Sequence, residues 1–386
     1  MASTDKKAYL MTIVARLAIR DYPTLIGDLL LSGPELPGFA PALPTVKDVA
    51  ARFPPGSNPV PRATGQKIAM ITDQLVVGWS GQLGTARDVI CELRRKSASA
   101  TFTMASLNQH FDSLSPAVWK DIGLLGFIRD PNGIAQFTRH AEEVKTTLFG
   151  NVGLLGSGCA DVEQFLTGLK QLPNGMERKM NALEQSLGFA LHLTGTFLSL
   201  EQMTAESISK YYGAGYEITS LMGERFEKMG DVTYIFWKAI AHDGQPRLDK
   251  QPMQLFRYAY IGDMLVIRAF SFEGSAQSLR ARDDLHYVTP VYRDATPTEQ
   301  SWVDTPATAP APALDAPWLC NYILTTLPND KVGILTLVCL KGQSDDKWVR
   351  ITETPVGTDV RIEIEVSQEF LDLVGRQIGE QLKTTS

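Results

Sequence analysis

Apolar and polar residues alternate from Met11 onward in a pattern that predicts two hairpins and a helix. In MTIVARLAIR, Thr12, Val14 and Arg16 fall on one face, and Ile13, Ala15 and Leu17 on the other. A turn at Asp21-Tyr22-Pro23 leads into TLIGDLLLS, where Thr24, Ile26 and Asp28 keep the same parity. Folding back at this turn sets Asp28 beside or diagonal to Thr12. A second hairpin runs KIAMI, a turn at Thr72-Asp73-Gln74, then LVVGW, so its open end brings Lys67 close to Trp79, Ser80 and Gly81. Gly81 and Gly84 lead into a helix with Ala86, Val89, Ile90 and Leu93 at helical spacing.

The pattern continues with helices over Met104–Phe111 and Ser115–Ile122, then a hairpin at 123–138 around Asp130-Pro131-Asn132-Gly133. Val162, Phe165, Leu166 and Leu169 mark another buried helix face. A helical hairpin is expected next, over Glu177–Leu200 and Ala205–Met229, followed by a strand at Asp231–Ile240. Beyond it, QLFRYAYIGDMLVIRAFSF reads as a hairpin turning at Gly262-Asp263. Several further strands and an amphipathic helix, SQEFLDLVGRQIGEQL, close the chain.

Two segments break the pattern. Residues 33–66 hold eight prolines, which reads as a semi-rigid insertion with a short helix at Val46–Phe53. It leaves after Ser32 and returns at Lys67, so it is either a lid over a cleft or a surface insertion. TPATAPAPALDAP has the composition of an extended linker. The expected organisation is therefore an extension at 1–10, a main domain at 11–245, a β-rich extension at 246–303, a linker at 304–317 and an α+β module at 318–386.

Composition narrows the function classes. With 386 residues, 44% apolar and 21% charged, the chain is expected to be globular, in two or three domains. A formal charge of −6 with no basic stripe argues against a nucleic-acid partner. No run is apolar and long enough for a transmembrane helix, and MASTDKKAYL lacks a secretory core. Cys91, Cys159, Cys320 and Cys339 stand far apart and read as free thiols in a cytoplasmic protein. The five histidines have no metal-like spacing, so neither metal nor cofactor is expected.

Candidate chemistry concentrates in the first two hairpins. Thr12 lies sixteen positions before Asp28, and Lys67 fourteen before Gly81. LLGFIRDPNG at 124–133 and GNVGLLGSGCADVEQFL at 150–166 follow in order. Over about residues 11 to 240 this resembles a proteasome β-subunit, or the peptidase subunit of bacterial two-component ATP-dependent proteases, both N-terminal-nucleophile hydrolases. The resemblance implies an α+β fold with a four-layer αββα sandwich, a homo-oligomer and a peptide or protein substrate. An ATPase partner is left open.

By resemblance Thr12 is nucleophile and, through its own amine, base. Asp28 orients Lys67, the N–H of Gly81 is the oxyanion donor, and Ser157 supports the amine. Ser32 pairs with substrate backbone, and Trp79 shapes the side-chain pocket. A plainer account stands beside this: Asp28 and Lys67 as a structural ion pair, Ser157 as part of an N-cap and Trp79 as core. Two departures bear on activity. Met11, not Gly, precedes Thr12, and a start at Met11 followed by its removal would expose the threonine. SLMGERFEKMGD replaces an Asp-x-x-Ser-Gly pair, with Glu224 a loose substitute. The expected function is a threonine peptidase. The alternatives are an inactive scaffold of the same fold and a hydrolase of small amides.

Overall fold

A computed structural model describes residues 12–35, 42–47, 49, 53, 56–169, 180–204, 206–242, 245–249, 251–273, 280–305, 309–326, 332–342, 347–356 and 359–385. The chain opens with β1 (Val14–Ile19), β2 (Tyr22–Asp28), β3 (Leu30–Gly33), β4 (Val60–Thr64), β5 (Ile68–Met70) and β6 (Leu75–Gly81). Next come α1 (Leu83–Ser97), α2 (Met104–Ser113), α3 (Pro116–Asp121), β7 (Ile122–Asp130), β8 (Gly133–Arg139), β9 (Glu142–Thr146) and β10 (Gly150–Leu155). Helices α4 (Cys159–Gly168), α5 (Ala182–Thr204) and α6 (Glu206–Ser209) precede β11 (Tyr216–Met222), β12 (Arg225–Lys228), β13 (Val232–His242) and β14 (Gln245–Leu248). Then follow β15 (Gln254–Ile261), β16 (Met264–Glu273), β17 (Arg280–Val288), α7 (Pro297–Asp304), β18 (Trp318–Thr326), β19 (Val332–Leu340), β20 (Val349–Val356), β21 (Asp359–Val366) and α8 (Gln368–Thr385).

The first hairpin turns one residue earlier than expected, at Arg20 and Asp21, whose φ values of 50° and 68° supply the twist of a two-residue connection. Its register pairs Val14 with Gly27 and Ile19 with Tyr22. Strands β12-β11-β2-β1-β10-β9 make a six-stranded sheet, and β5-β6-β7-β8 a four-stranded one. Val14, Leu25, Ile68, Val76, Leu125 and Leu155 pack between them. The expected helix face, Ala86, Val89, Ile90 and Leu93, is buried with α2 against the other side of the four-stranded sheet.

Two expectations are corrected. Residues 206–229 do not form a long helix: after the four-residue α6 the chain turns into β11 and β12. Positive φ at Tyr211, Gly213, Ala214 and Gly215 stops the helix, and YEITSLM continues as a strand beside β2. The four-layer αββα sandwich is also overturned. The described strands fall into five separate sheets, and strand exceeds helix, 43% against 29%. Helices α4 and α5 are not an outer layer. Their apolar residues share one core with Ile13, Ala15 and Ile26 of the six-stranded sheet and with Tyr234, Phe236 and Tyr322 of a third, seven-stranded sheet. This sheet has the order β17-β16-β15-β13-β18-β19, with β14 on β13, and its far face is covered by α8. So much β-rich chain after Asp231 buries both faces of its own sheet, and a four-layer arrangement has no place for it.

The boundaries expected at 245 and 304–317 both fall within that sheet, because β18 lies parallel to β13 with Val232 opposite Trp318. The proline- and alanine-rich stretch is strapped down over its described part. Thr233 Oγ1 donates to the Leu314 carbonyl at 2.7 Å, Arg257 Nε to Ala313 at 2.6 Å and Arg268 Nη1 to Pro312 at 2.6 Å. In the proline-rich insertion, Leu43, Val46 and Val49 pack on Leu30, Ile208 and Ala214. The short helix expected over Val46–Phe53 lies largely outside the described residues.

Candidate functional site

Thr12 and Asp28 meet where β1 begins and β2 ends. The hairpin register makes Ile13 the direct neighbour of Asp28, whose N–H donates to the Ile13 carbonyl at 3.0 Å. The Asp28 carboxylate therefore reaches diagonally and accepts the Thr12 hydroxyl on Oδ1. Oδ1 also takes the Ile13 amide at 3.1 Å, and Oδ2 takes the Gly213 amide at 2.9 Å. Both residues are wholly buried. Burial pushes the Asp28 carboxyl up to about 6, against the lowering by Lys67, Thr12, Ile13 and Gly213.

Lys67 enters just before β5. The Cβ that Gly27 lacks would stand 3.2 Å from the Lys67 Cβ, so the strand pair comes this close because residue 27 has no side chain. The Lys67 ammonium sits 4.6 Å from the centre of the Trp79 ring. Burial brings it down to about 8, while Asp28 and Glu217 hold it up. Asp28 was expected to orient Lys67, but its direct partners are Thr12, Ile13 and Gly213; it acts on Lys67 through the field alone. Between about pH 6 and pH 8 the centre thus carries a carboxylate and an ammonium out of water, with the Thr12 hydroxyl bonded to the former.

The other expected residues scatter in role. Trp79 is wholly buried, donates its indole N–H to the Gln66 carbonyl at 3.1 Å, and belongs to the core under α1 and α2. Gly81 ends β6 opposite Ile122 at φ +110°, a conformation suited to glycine. Ser157 is exposed. Its neighbours touch Thr12 instead: the Gly158 amide donates to the Thr12 carbonyl at 3.2 Å, and a Cβ on Gly156 would stand 2.0 Å from the same oxygen. Ser32 pairs with Pro61 across a β-bulge, its buried hydroxyl without a hydrogen-bond partner among the described residues. Glu224 is 82% exposed beside Arg129 at the surface, so it does not stand in for the missing acidic support.

Two carboxylates that the residue pattern did not single out complete the surroundings. Glu217, opposite Gly27 on β11, takes the Ile68 amide at 2.7 Å and the Lys228 ammonium at 2.7 Å. Glu201, on the buried length of α5, takes the Ala214 amide at 3.0 Å and the hydroxyl of Thr45. Strand parity does not flag Glu217 either, because it alternates with Ile218 and shares its face with Thr219, as on a solvated strand face. Nothing local marks Glu201, since a glutamate in a helix is ordinary.

No group of three or more His, Cys, Asp or Glu among the described residues is placed to hold a metal, and no described helix is long and apolar enough to cross a membrane. Neither a protein-family model nor a curated protein matches this chain. The resemblance to N-terminal-nucleophile hydrolases is overturned by the five-sheet arrangement, which is not the four-layer sandwich of that family.

Proposed function

We propose that the Thr12–Asp28–Lys67 centre is a threonine-type amide hydrolase site acting on peptide or protein bonds. One observation carries this reading: a buried hydroxyl is bonded to a carboxylate, with an ammonium nearby whose pKa is brought down to about 8. A hydroxyl becomes a nucleophile when a base takes its proton and a fixed positive charge stabilises the oxyanion that forms. Cleavage of the chain ahead of Thr12 would free an α-amino group to serve as that base, with Lys67 supplying the charge. Covalent labelling with a β-lactone or epoxyketone, followed by mass mapping, tests it. Adduct on Thr12, lost in Thr12→Ala and Lys67→Met, is expected; a native chain that carries no free Thr12 amine and takes no label overturns it.

A second reading has its own observation. Thr12 is 0% exposed, and both Asp28 oxygens already hold donors, as in a structural tie between β1, β2 and the 211–215 turn. On that reading the chain is a scaffold or binding protein. A stable oligomer without label at Thr12 is its expected outcome.

A further inference from the structure

We infer that Glu201 is a positioning residue for the Thr12–Asp28 centre, acting through the Gly213-Ala214 turn and clamped from outside by Thr45 of the proline-rich insertion. The inference rests on the function proposed above only for its consequence in catalysis; its structural content stands by itself.

Successive amides of one turn are shared between two buried carboxylates. Gly213 N–H donates to Asp28 Oδ2 at 2.9 Å, and Ala214 N–H donates to Glu201 Oε1 at 3.0 Å. Two successive N–H groups directed at two separate buried acceptors, one charged and one neutral, require unusual backbone. Here Tyr211, Gly213, Ala214 and Gly215 have φ of 65°, 116°, 61° and 106°. At Ala214, which has a Cβ, this conformation costs free energy that the surroundings must offset. Glu201 supplies part of that offset. Its carboxyl faces the Ser207 hydroxyl, and a Cβ on Gly213 would stand 2.3 Å from Oε2, so the carboxyl packs on the Gly213 backbone. Removing Glu201 removes both the hold on Ala214 and the stop behind Gly213. The Leu29 N–H, which donates to the Gly213 and Gly215 carbonyls, then holds the turn without Glu201, and the Gly213 amide opens from Asp28 more often.

The outer end of the same carboxyl is tied to the insertion. Thr45 is 3% exposed and donates to Glu201 Oε1, and Gln202 donates its side-chain amide to the Thr45 carbonyl. Leu43, Val46 and Val49 press the segment down on Ala214 itself. Thr45 thereby reaches Asp28 in three steps: Thr45 to Glu201, Glu201 to the turn, and the turn to Asp28. Burial pushes the Glu201 carboxyl up to about 8, so it is protonated and neutral where Asp28 is charged. The other titratable groups facing it are Asp28 from β2, Tyr212 and Tyr216 from the turn and β11, and Tyr258 from β15; burial raises all three tyrosines. None of the tyrosines ionises below pH 8, so Asp28, Glu201 and Lys67, which faces Asp28, are the groups of this cluster that titrate between about pH 6 and pH 8.

The test compares Glu201→Gln, Glu201→Leu and Thr45→Val in the full chain. It reads the Asp28 titration by carboxyl-carbon NMR and the Gly213 amide by hydrogen exchange. Glutamine keeps the acceptor and the neutral charge; leucine keeps the bulk and loses the acceptor. Glu201→Gln is expected to leave both readings as in the wild type. Glu201→Leu is expected to raise the Asp28 midpoint and to speed Gly213 exchange by about tenfold or more, because a lost amide bond removes one of the contacts that hold the pKa down. Thr45→Val should move both in the same direction by less, and it guards against a Glu201→Leu chain that fails to fold. Unchanged Asp28 titration and Gly213 exchange in folded Glu201→Leu, or in Thr45→Val where that is the only variant that folds, overturn the inference. These readings do not depend on activity. If they shift while Thr12 takes no label, the inference stands and the hydrolase reading fails.

Discussion

The hydroxyl of Thr12 donates to Oδ1 of Asp28, sixteen residues further along, and Oδ1 holds the Ile13 amide as well. Thr12→Val removes the donor and keeps the shape. The buried carboxylate then loses a hydrogen bond, which costs roughly 1–3 kcal/mol. Its pKa should rise above about 6, since the Thr12 bond is one of the contacts holding it down. Urea unfolding and the Asp28 titration check both, and Thr12→Ser should restore them.

Lys67→Met takes away the cation that lowers Asp28 and leaves Glu217 with Lys228 as its ion-pair partner. The Asp28 midpoint should climb, and label at Thr12 should disappear. Stability should change less than for loss of a directly bonded partner, which in a buried pair costs about 3–5 kcal/mol. A loss of that size in chemical unfolding would mean that Lys67 is bonded to Asp28 after all.

Two glycines with positive φ make a controlled pair. A Cβ on Gly156, at φ +103°, would meet the Thr12 carbonyl oxygen at 2.0 Å and its carbon at 2.5 Å. Gly133, at φ +116°, has nothing within 4 Å of a Cβ. Gly133→Ala should cost about 1 kcal/mol, the backbone term alone. Gly156→Ala adds a clash with backbone and should cost roughly 3 kcal/mol or more, with Thr12 labelling lost. Equal unfolding midpoints for the two would contradict the turn's contact with Thr12.

Stability against pH should carry the mark of Glu201. Its folded pKa, about 8, lies above its ordinary 4.5, so the folded state holds a proton that the unfolded state has released. That contribution is complete below about 4.5 and is lost as pH rises through about 8. The difference in unfolding free energy between wild type and Glu201→Gln should therefore be flat above about pH 8 and should grow in favour of the wild type as pH falls toward 4.5. A difference that stays constant over that range would place Glu201 in water.

Ending the chain at residue 304 should abolish folding. Strand β18 lies between β13 and β19 in the seven-stranded sheet, and Tyr322 reaches α5, where a Cβ on Gly195 would stand 1.7 Å from its ring. Without these strands α5 loses one wall of its core. Expression of residues 1–304 should give insoluble or molten material by near-ultraviolet circular dichroism; a cooperative unfolding transition would show that the C-terminal strands are dispensable.

Much of the front half was legible because its cues are local. Alternation placed β1, β2, β6, β7 and β13, and helical spacing placed α1 and α4. The 206–229 stretch differs from the helix expected there because its conformation follows from the left-handed φ values at Tyr211, Gly213, Ala214 and Gly215 and from pairing with β2. Propensity gives way to a partner strand that lies far off in sequence. The resemblance failed for a similar reason: intervals such as Thr12 to Asp28 describe one hairpin, and many folds can contain that hairpin.

Periodicity by itself placed β1 and β2 as one hairpin, while the structure set its register: the turn falls at Arg20 and Asp21, and this is what brings Asp28 opposite Ile13 and diagonal to Thr12. Only the tertiary structure decided that Asp28 is bonded to Gly213 rather than to Lys67, that Glu201 lies behind the same turn, and that a third sheet encloses α5. Gly213 lies 185 positions beyond Asp28, where no local pattern reaches. Burial then sets the chemistry: a carboxylate, an ammonium and a second carboxyl acquire their shifted pKa values from the water they lose, which depends on what packs over them.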